Sequence, residues 1–386
     1  MPIFEKRTYS DRFNIYFLNQ NIYYQRETED EIKKRFLGFR WSENKIKEQP
    51  QKNEAIRYYA NAKKDCRANV DDVIEQIKKY DVISFDIFDT VLYRNVDTPS
   101  DIFDLVGFKI GIPDFKAKRI KAESLAREYK FSKCGSREVT LDEIYSILNK
   151  NLSIHIDKRF EEEIEIENIK CDPYTKKIYD FAISVHKKII FTSDMYLSKA
   201  VISSMLNKCG YKSYDNLFIS NIYLRNKGIG DLFEVIKYCY PNKRIIHLGD
   251  NINGDVKNPP KYGIESLYIP PIKFKYKEIN GDGIIGSIYR SIIQSKLNNG
   301  LDKFNLQYEH GYRVGGILCY GFCNYIEKIA KENNVDRIVF CARDCEIIWE
   351  CYKSYFNNIE SKYLQVSRYS LLNAMPDKQI NDIIYR

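Results

Sequence analysis

The sequence predicts an α/β protein built around a doubly wound parallel sheet. Buried strands alternate with amphipathic helices along residues 81–272, which is the pattern that produces parallel strands joined by helical crossovers. A long helical insertion separates the first strand from the second, and a further helix–strand–helix segment follows residue 304. With 386 residues, the chain is long enough for two domains or for one domain with insertions.

Residues 1–80 are predicted to form an N-terminal helical extension. Glu29–Phe36 and Val70–Tyr80 carry apolar residues at helical spacing, and Asp71 and Asp72 suit the start of the second helix. The polar segment 41–53 is interpreted as a linker. We assign no chemistry to this part of the chain.

The first strand of the predicted core, within 81–97, ends in two carboxylates. Val82, Ile83 and Phe85 form a buried strand, and Asp86 and Asp89 follow where the strand gives way to a loop. In open α/β sheets, ligands bind beyond the carboxyl ends of the strands. A carboxylate placed there is costly unless something pairs with it. Capping of a turn is the alternative role for either aspartate.

An inserted helical cap is predicted at residues 98–183, and the core resumes at 184–272. Apolar spacing favours helices at 101–110, 115–129, 141–148 and 174–185, while 161–169 is compatible with helix or strand. Thr140 to Glu143 has the pattern of a capping box. The resumed core contributes four buried strands, at Lys188–Ser193, Asn216–Ser220, Arg244–Leu248 and Glu265–Ile269.

A connector with one helix is expected at 273–303, followed by a partial α/β module at 304–386. The strand Arg337–Phe340 precedes Ala342-Arg343-Asp344 and a helix, repeating the order strand, Ser193-Asp194, helix. Gly281–Gly286 matches the glycine pattern of dinucleotide-binding loops, but no buried strand precedes it. We therefore reject a nucleotide site there.

Composition excludes several classes of protein. The net charge of +8 comes from lysines scattered among acids and apolar residues, which indicates a solvated surface and no nucleic-acid partner. Ten cysteines form no CxxC pair, so reduced thiols are expected. Cys319 and Cys323 lie in an apolar run, where cysteine packs in the core more often than it binds zinc. No long apolar run and no leader are visible, so we expect a cytoplasmic protein without membrane insertion.

Four strand ends together carry the residues of phosphoryl chemistry. An aspartate such as Asp86 can attack phosphorus and form an acyl phosphate, and Asp86 with Asp250 can offer oxygens to Mg²⁺. Ser193, at the start of a helix, suits a phosphate oxygen. Lys227 can offset charge in the transition state. Each has an ordinary alternative as a cap, a surface lysine or a turn residue, but their order along the chain favours a common site.

At these residues the chain resembles the haloacid dehalogenase-like (HAD) hydrolase superfamily. The resemblance covers residues 81 to about 270: Phe85–Thr90 matches the first motif, Ile189–Ser193 the second, Lys227 the third, and Gly249-Asp250 with Asp255 the fourth. It implies a Rossmann-like core, a C1-type helical cap and a Mg²⁺-dependent phosphatase or phosphotransferase acting on a small phosphorylated metabolite, for example a sugar phosphate.

The resemblance also implies roles for single residues. Asp86 is expected to be nucleophile and metal ligand, with the carbonyl of Phe88 and Asp250 as further ligands. Asp255 is expected either to be an additional metal ligand or to contact the ligands. Ser193 and Lys227 are expected to bind the phosphate. HAD phosphatases usually carry a general acid/base two residues after the nucleophile, where this chain has Phe88; Asp89, one residue later, is the substitute.

The unusual Phe88 keeps two alternatives open. One is a catalytically weak binding or scaffold module, and the other is a dehalogenase, which does not need Asp250 as a metal ligand. The segments Ser84–Thr90, Ser193–Leu197 and Ala342–Asp344 are similar to a subgroup of hydrolases found beside bacterial surface-polysaccharide glycosyltransferases. This similarity implies a partner in glycan assembly.

Overall fold

The computed structural model describes residues 67–153, 155–272 and 283–366, together with five strands between residues 4 and 44. The chain divides into two compact units, Met1–Lys64 and Asp65–Arg386. None of the helices in the described residues combines the length and apolar character needed to cross a membrane.

The first unit contains a five-stranded sheet in which each strand pairs with the next in antiparallel fashion. Its strands are β1 (Phe4–Thr8), β2 (Arg12–Phe17), β3 (Gln20–Glu27), β4 (Glu31–Phe36) and β5 (Phe39–Asn44). The prediction of a helix at Glu29–Phe36 is therefore wrong. Strand β4 exchanges backbone hydrogen bonds with β3 and β5, and such pairing between strands overrides the weak apolar spacing of a short segment.

The predicted linker at 41–53 overlaps β5 up to Asn44, and residues 45–53 lie outside the described part of the chain. The second predicted helix is confirmed as α1 (Val70–Ile77), whose N-cap Asn69 accepts a hydrogen bond from the backbone N–H of Asp71. This helix belongs to the second unit. Its Val73 and Ile77 are buried in the main hydrophobic core, beside the central sheet.

A five-stranded, fully parallel sheet forms the centre of the second unit, as predicted. Its strands are β6 (Val82–Asp86), β9 (Lys188–Ser193), β10 (Asn216–Ile219), β11 (Ile245–Gly249) and β12 (Glu265–Tyr268). Their order across the sheet is β10-β9-β6-β11-β12. The first strand in sequence is thus central, and the chain winds outward from it in both directions.

The insertion between β6 and β9 is helical, as predicted. Two short antiparallel strands, β7 (Leu92–Arg94) and β8 (Ile169–Cys171), enclose four helices. These are α2 (Ile102–Ile110), α3 (Phe115–Cys134), α4 (Leu141–Leu152) and α5 (Arg159–Glu167). The capping box of Thr140 and Glu143 is confirmed at the start of α4. The ambiguous segment 161–169 continues α5 to Glu167 and then enters β8.

The helices that connect the strands of the central sheet along the chain pack beside the sheet. They are α6 (Pro173–Ser184), α7 (Lys199–Lys208), the single turn α8 (Ser220–Tyr223) and α9 (Asp231–Cys239). Helix α6, although placed in the predicted cap range, packs on the sheet, where its Tyr179 ring lies 6.4 Å from that of Phe191. A further helical turn, Ile252–Lys257, follows β11.

The C-terminal part, residues 283–366, begins with the one helix expected in the connector and continues with further helices and two strands. It contains α10 (Gly283–Leu297), α11 (Leu306–His310), α12 (Gly316–Glu332), β13 (Arg337–Cys341), α13 (Glu346–Tyr355) and β14 (Glu360–Leu364). Strands β13 and β14 pair in parallel. Cys323 is fully buried with Phe340 and Tyr352, which agrees with a core role for that thiol.

Helix α10 fastens the linker that leads from β7 into the inserted helices. The hydroxyl of Ser291 donates to the carbonyl of Arg94 at 2.8 Å. The backbone N–H of Asp97 donates to the Ser287 hydroxyl at 2.8 Å, and the Arg290 Nε donates to the Asp97 carboxylate at 3.0 Å. The connector therefore supports the entrance to the inserted helices.

Candidate active site

The carboxyl edge of the central sheet brings the predicted site residues together. Asp86 ends β6, Ser193 ends the neighbouring β9, and Asp250 directly follows β11 on the other side. The strand order reverses around β6, and such a reversal opens a crevice at the carboxyl ends of the strands. The position of Asp86 therefore follows from the topology of the sheet.

Lys227 forms the centre of a buried ion-pair network. Its ammonium group donates to Asp86 Oδ1 and, at 2.6 Å, to Asp255 Oδ1. The Lys227 and Asp86 side chains are 7% and 8% exposed. The other Asp86 oxygen accepts a hydrogen bond from the Thr90 hydroxyl at 3.0 Å. Both oxygens of Asp86 are thus oriented by neighbouring donors.

Asp255 is held from the side opposite Lys227. Its Oδ1 is hydrogen-bonded to His247 Nε2 at 3.0 Å, and its Oδ2 accepts from the backbone N–H of Asn251 at 3.0 Å. A side chain at Gly249 would meet the Asp255 carboxyl group at 2.4–2.5 Å. Glycine is therefore needed at the end of β11 for Asp255 to reach Lys227.

A buried polar chain beneath the site was not foreseen from the sequence. His247 Nδ1 is hydrogen-bonded to the Ser84 hydroxyl at 2.8 Å, which in turn pairs with the Thr192 hydroxyl at 3.1 Å. These residues lie on the adjacent strands β11, β6 and β9. The only available signal was the occurrence of polar residues at fully buried strand positions, since each is 0% exposed.

The loop that carries Lys227 is fixed by two further side chains. The carboxylate of Asp194 accepts from the backbone N–H groups of Lys227, at 2.8 Å, and Gly228, at 3.2 Å. The Asn258 amide donates to the carbonyls of the same two residues at 2.7 and 2.8 Å. Asp194 thus positions the lysine loop.

Burial and like charges raise the pKa values of two carboxyl groups at the site. Burial raises the pKa of Asp86 to about 7 against the opposing effect of Lys227. Burial and the nearby Asp86, Asp89 and Asp255 raise the pKa of Asp250 to about 9. Burial is the largest cause of both shifts, so neither carboxyl group ionises as readily as an exposed aspartate.

The pKa values of Lys227 and Asp255 shift in the directions that keep both groups charged. Burial acts against the charged lysine, but Asp255, Asp86 and Asp194 outweigh it and raise the Lys227 pKa. Burial also disfavours the ionised Asp255, but Lys227 and His247 outweigh it and lower its pKa. The Lys227–Asp255 pair is therefore a permanent part of the site.

The cluster of three aspartate side chains fits a divalent cation that prefers oxygen ligands. Asp86, Asp250 and Asp255 offer oxygens that lie within 4.8 Å of one another. Asp250 accepts only a long, 3.5 Å hydrogen bond from Thr90 among the described residues, so its oxygens remain available. Asp255 is already engaged on both oxygens. Clustered carboxylate oxygens, of which those of Asp250 remain available, are the kind of ligands that Mg²⁺ favours.

The remaining predicted residues also reach the site. Phe88, Asp89 and Ser193 line the same cavity as Asp86. Asp89 has a left-handed backbone, with φ of +59°, as expected for a tight turn after the strand. The Ser193 hydroxyl makes no hydrogen bond to another residue in the described part of the chain, which leaves it available to a ligand. Whether the Phe88 carbonyl binds a metal stays a prediction.

The cavity above these residues has a volume of about 990 Å³. Its floor is the carboxyl edge of the sheet, and its roof comes from the inserted helices and their linker. The roof residues that line it are Arg94, Pro99, Ser100, Phe103, Ile120, Glu123, Ser124 and Arg127. The volume suits a small metabolite, since small-molecule sites span about 300–1,000 Å³.

The comparisons with known proteins give structural similarities only. No protein-family model matches the chain, and no curated protein matches it. The HAD-hydrolase YfnB from Bacillus subtilis, bound to magnesium, is similar at 16% identity and a TM-score of 0.36, over 49% of this chain and 88% of that one. The L-2-haloacid dehalogenase from Xanthobacter autotrophicus is similar at 12% identity and 0.35, over 49% and 77%. A HAD phosphatase from Thermococcus onnurineus is similar at 12% identity and 0.35, over 53% and 90%.

Proposed function

We propose that this protein is a Mg²⁺-dependent hydrolase of the HAD type that removes or transfers a phosphoryl group from a small metabolite. The observation that carries the proposal is the Asp86 carboxylate, bonded to Lys227 and grouped with Asp250, at the floor of a metabolite-sized cavity. A buried, oriented carboxylate beside a lysine and a cation site is suited to nucleophilic attack on phosphorus.

The residues of the cavity floor have different roles in the first half-reaction. Asp86 attacks phosphorus, and the bond to the leaving oxygen breaks as the acyl phosphate forms. Lys227 and Ser193 donate hydrogen bonds to the phosphoryl oxygens and hold them in line with Asp86. Asp86, Asp250 and the carbonyl of Phe88 would hold Mg²⁺, which would neutralise charge on the phosphoryl group.

In the second half-reaction, water attacks the acyl phosphate, releases phosphate and regenerates Asp86. This water must lose a proton, and Asp89 lines the cavity on the side of the nucleophile loop. We assign the proton transfer to Asp89, one residue after the position that Phe88 occupies. A phosphotransferase would use an acceptor hydroxyl in place of this water.

A catalytically weak binding module is the second candidate, and Phe88 favours it. Position 88 carries a phenylalanine and therefore offers no carboxylate for proton transfer. Its ring packs against the Arg94 guanidinium group, whose central carbon lies 4.2 Å from the ring centre. Such a module would bind phosphorylated compounds and a partner in bacterial surface-polysaccharide assembly without turnover. Dehalogenation is the third candidate function, because it gives no role to the cluster of carboxylates that includes Asp250.

The experiment that separates these candidates is phosphate release from a panel of phosphorylated sugars and nucleotides, with and without Mg²⁺. We expect Mg²⁺-dependent release that Asp86→Asn reduces by several orders of magnitude while circular dichroism stays unchanged. Asp180→Asn is the matched control, since Asp180 is a 57% exposed acid on α6. Full turnover by Asp86→Asn would refute the mechanism. Binding of phosphate mimics without any turnover would favour the binding module, and Mg²⁺-independent halide release from a haloacid would favour the dehalogenase.

A further inference from the structure

A buried arginine in the cap linker lies at the roof of the cavity. Arg94 is 4% exposed and lines the cavity. Its Nε and Nη2 atoms donate to the Glu165 carboxylate at 2.8 and 3.0 Å. The remaining terminal nitrogen, Nη1, makes no hydrogen bond within the residues that the structure describes. One edge of the guanidinium group is therefore occupied, and the other is left for a ligand.

The position of Arg94 is fixed before any ligand binds. Glu165, itself buried, neutralises its charge, and the Phe88 ring supports its face at 4.2 Å. The Ser291 hydroxyl of α10 holds its backbone carbonyl at 2.8 Å. A donor held in this way needs little reorganisation when charge develops nearby, which is the condition for effective electrostatic stabilisation.

Displacement at phosphorus dictates which part of the substrate meets the roof. The attacking and leaving oxygens lie roughly in line on opposite sides of phosphorus. Because Asp86 attacks from the floor, the leaving oxygen points toward the inserted helices and their linker. Arg94 lies on this side, and it packs on Phe88, which is only two residues beyond the nucleophile.

The other guanidinium group that lines the described roof is already engaged. Arg127 gives its Nε and Nη2 atoms to Glu123, at 2.9 and 2.7 Å, and its Nη1 atom to the carbonyl of Arg137 at 2.9 Å. Arg94 therefore differs from Arg127 in retaining a nitrogen for the substrate.

We propose that Arg94 contacts the leaving-group oxygen and stabilises the negative charge that develops on it. This inference rests on the proposed phosphoryl transfer. As the Asp86 oxygen bonds to phosphorus, the electron pair of the breaking P–O bond remains on the leaving oxygen, to which Arg94 Nη1 donates a hydrogen bond. Water supplies the proton when the product leaves. Arg94 thus acts at the point where Phe88 replaces an acid.

The test removes the guanidinium charge without leaving its partner buried and unpaired. Arg94→Gln alone would strand Glu165, so Arg94→Gln is combined with Glu165→Gln. Arg119→Gln with Glu161→Gln is the matched control, because these residues also form a fully buried pair, at 2.7 Å, and neither lines the cavity. The assay is kcat/KM, with Mg²⁺, for aryl phosphates whose leaving groups differ in basicity.

We expect the loss in the Arg94/Glu165 variant to grow with leaving-group basicity and to reach about 10²–10³-fold, the usual effect of removing one such donor. The control variant should retain the wild-type dependence. An equal loss across the series, or no loss, would overturn the role of Arg94 while leaving phosphatase activity established.

Binding of two phosphoryl mimics, measured by calorimetry with Mg²⁺, provides a readout that does not need turnover. Orthovanadate can place an oxygen at the leaving position, whereas beryllium fluoride mimics the acyl phosphate without one. The Arg94/Glu165 variant should lose affinity for orthovanadate and keep it for beryllium fluoride. Selective loss without turnover in the wild type would support the contact and reject hydrolysis. Equal effects on both mimics would reject the contact, and absence of both turnover and binding in the wild type would reject both proposals.

Discussion

Replacing Asp250 by asparagine should stabilise the metal-free protein and weaken its response to pH. Burial and neighbouring carboxylates raise the pKa of Asp250 to about 9, from 3.8 for the unperturbed group. Between these values the folded state retains a proton that the unfolded chain has released. The free energy of unfolding therefore falls as pH rises, by about 1.4 kcal/mol per pH unit for this group.

From pH 5 to pH 7 this group alone accounts for a loss of about 3 kcal/mol. The asparagine amide does not titrate in this range, so the Asp250→Asn variant should show a slope smaller by about 1.4 kcal/mol per pH unit. Asp86 still contributes in the variant, because its pKa is also raised, to about 7. The free energy of unfolding of the Asp250→Asn variant should therefore still fall with rising pH, but mainly below pH 7.

The assay is urea denaturation of EDTA-treated protein between pH 5 and pH 8, with Asp180→Asn as the exposed control. Mg²⁺ needs the ionised carboxylate, so Mg²⁺ should stabilise the wild type more at pH 8 than at pH 6. It should stabilise Asp250→Asn little at either pH. Identical slopes for wild type and variant, or a metal-free variant less stable than the wild type at pH 8, would refute the electrostatic account of the site.

Two further predictions concern the neighbours of Asp86. Lys227→Met leaves Asp86 and Asp255 buried without their common cation, which should lower the free energy of unfolding by about 3–5 kcal/mol in urea denaturation; a loss below about 1 kcal/mol would show that the network is dispensable. Asp89→Asn should lower kcat for an alkyl phosphate by about 10²–10⁴-fold with little change in stability, and an unchanged kcat would remove Asp89 from proton transfer.

Residues of the site that lie next to a strand end could be predicted from the sequence. Asp86, Ser193 and Asp250 follow or end strands made of apolar runs, so their meeting at one edge requires only that the sheet be parallel. Lys227 was harder to place, because it lies several residues beyond β10. Its position depends on Asp194 and Asn258, which hold the loop backbone, and such tertiary contacts leave no local pattern.

The first unit shows where local patterns fail. In β4, Ile32 and Phe36 are four residues apart, a spacing equally compatible with one face of a helix and with alternate positions of a strand. The choice is made by hydrogen bonding to β3 and β5, which the spacing of apolar residues within β4 does not reveal. The buried chain of Ser84, Thr192 and His247 was missed for a related reason, since its members are far apart in sequence and meet only when three strands pair.

Asp250 and Asp255 show most directly how environment divides the roles of identical side chains. They lie on one turn after β11, yet the pKa of Asp250 rises with burial and neighbouring carboxylates, whereas that of Asp255 is lowered because Lys227 and His247 overcome burial. Asp255 is therefore the fixed anion that holds the lysine, whereas Asp250 has a raised pKa and oxygens that remain available to a cation. Gly249 makes this division possible, since a Cβ there would occupy the place of the Asp255 carboxyl group.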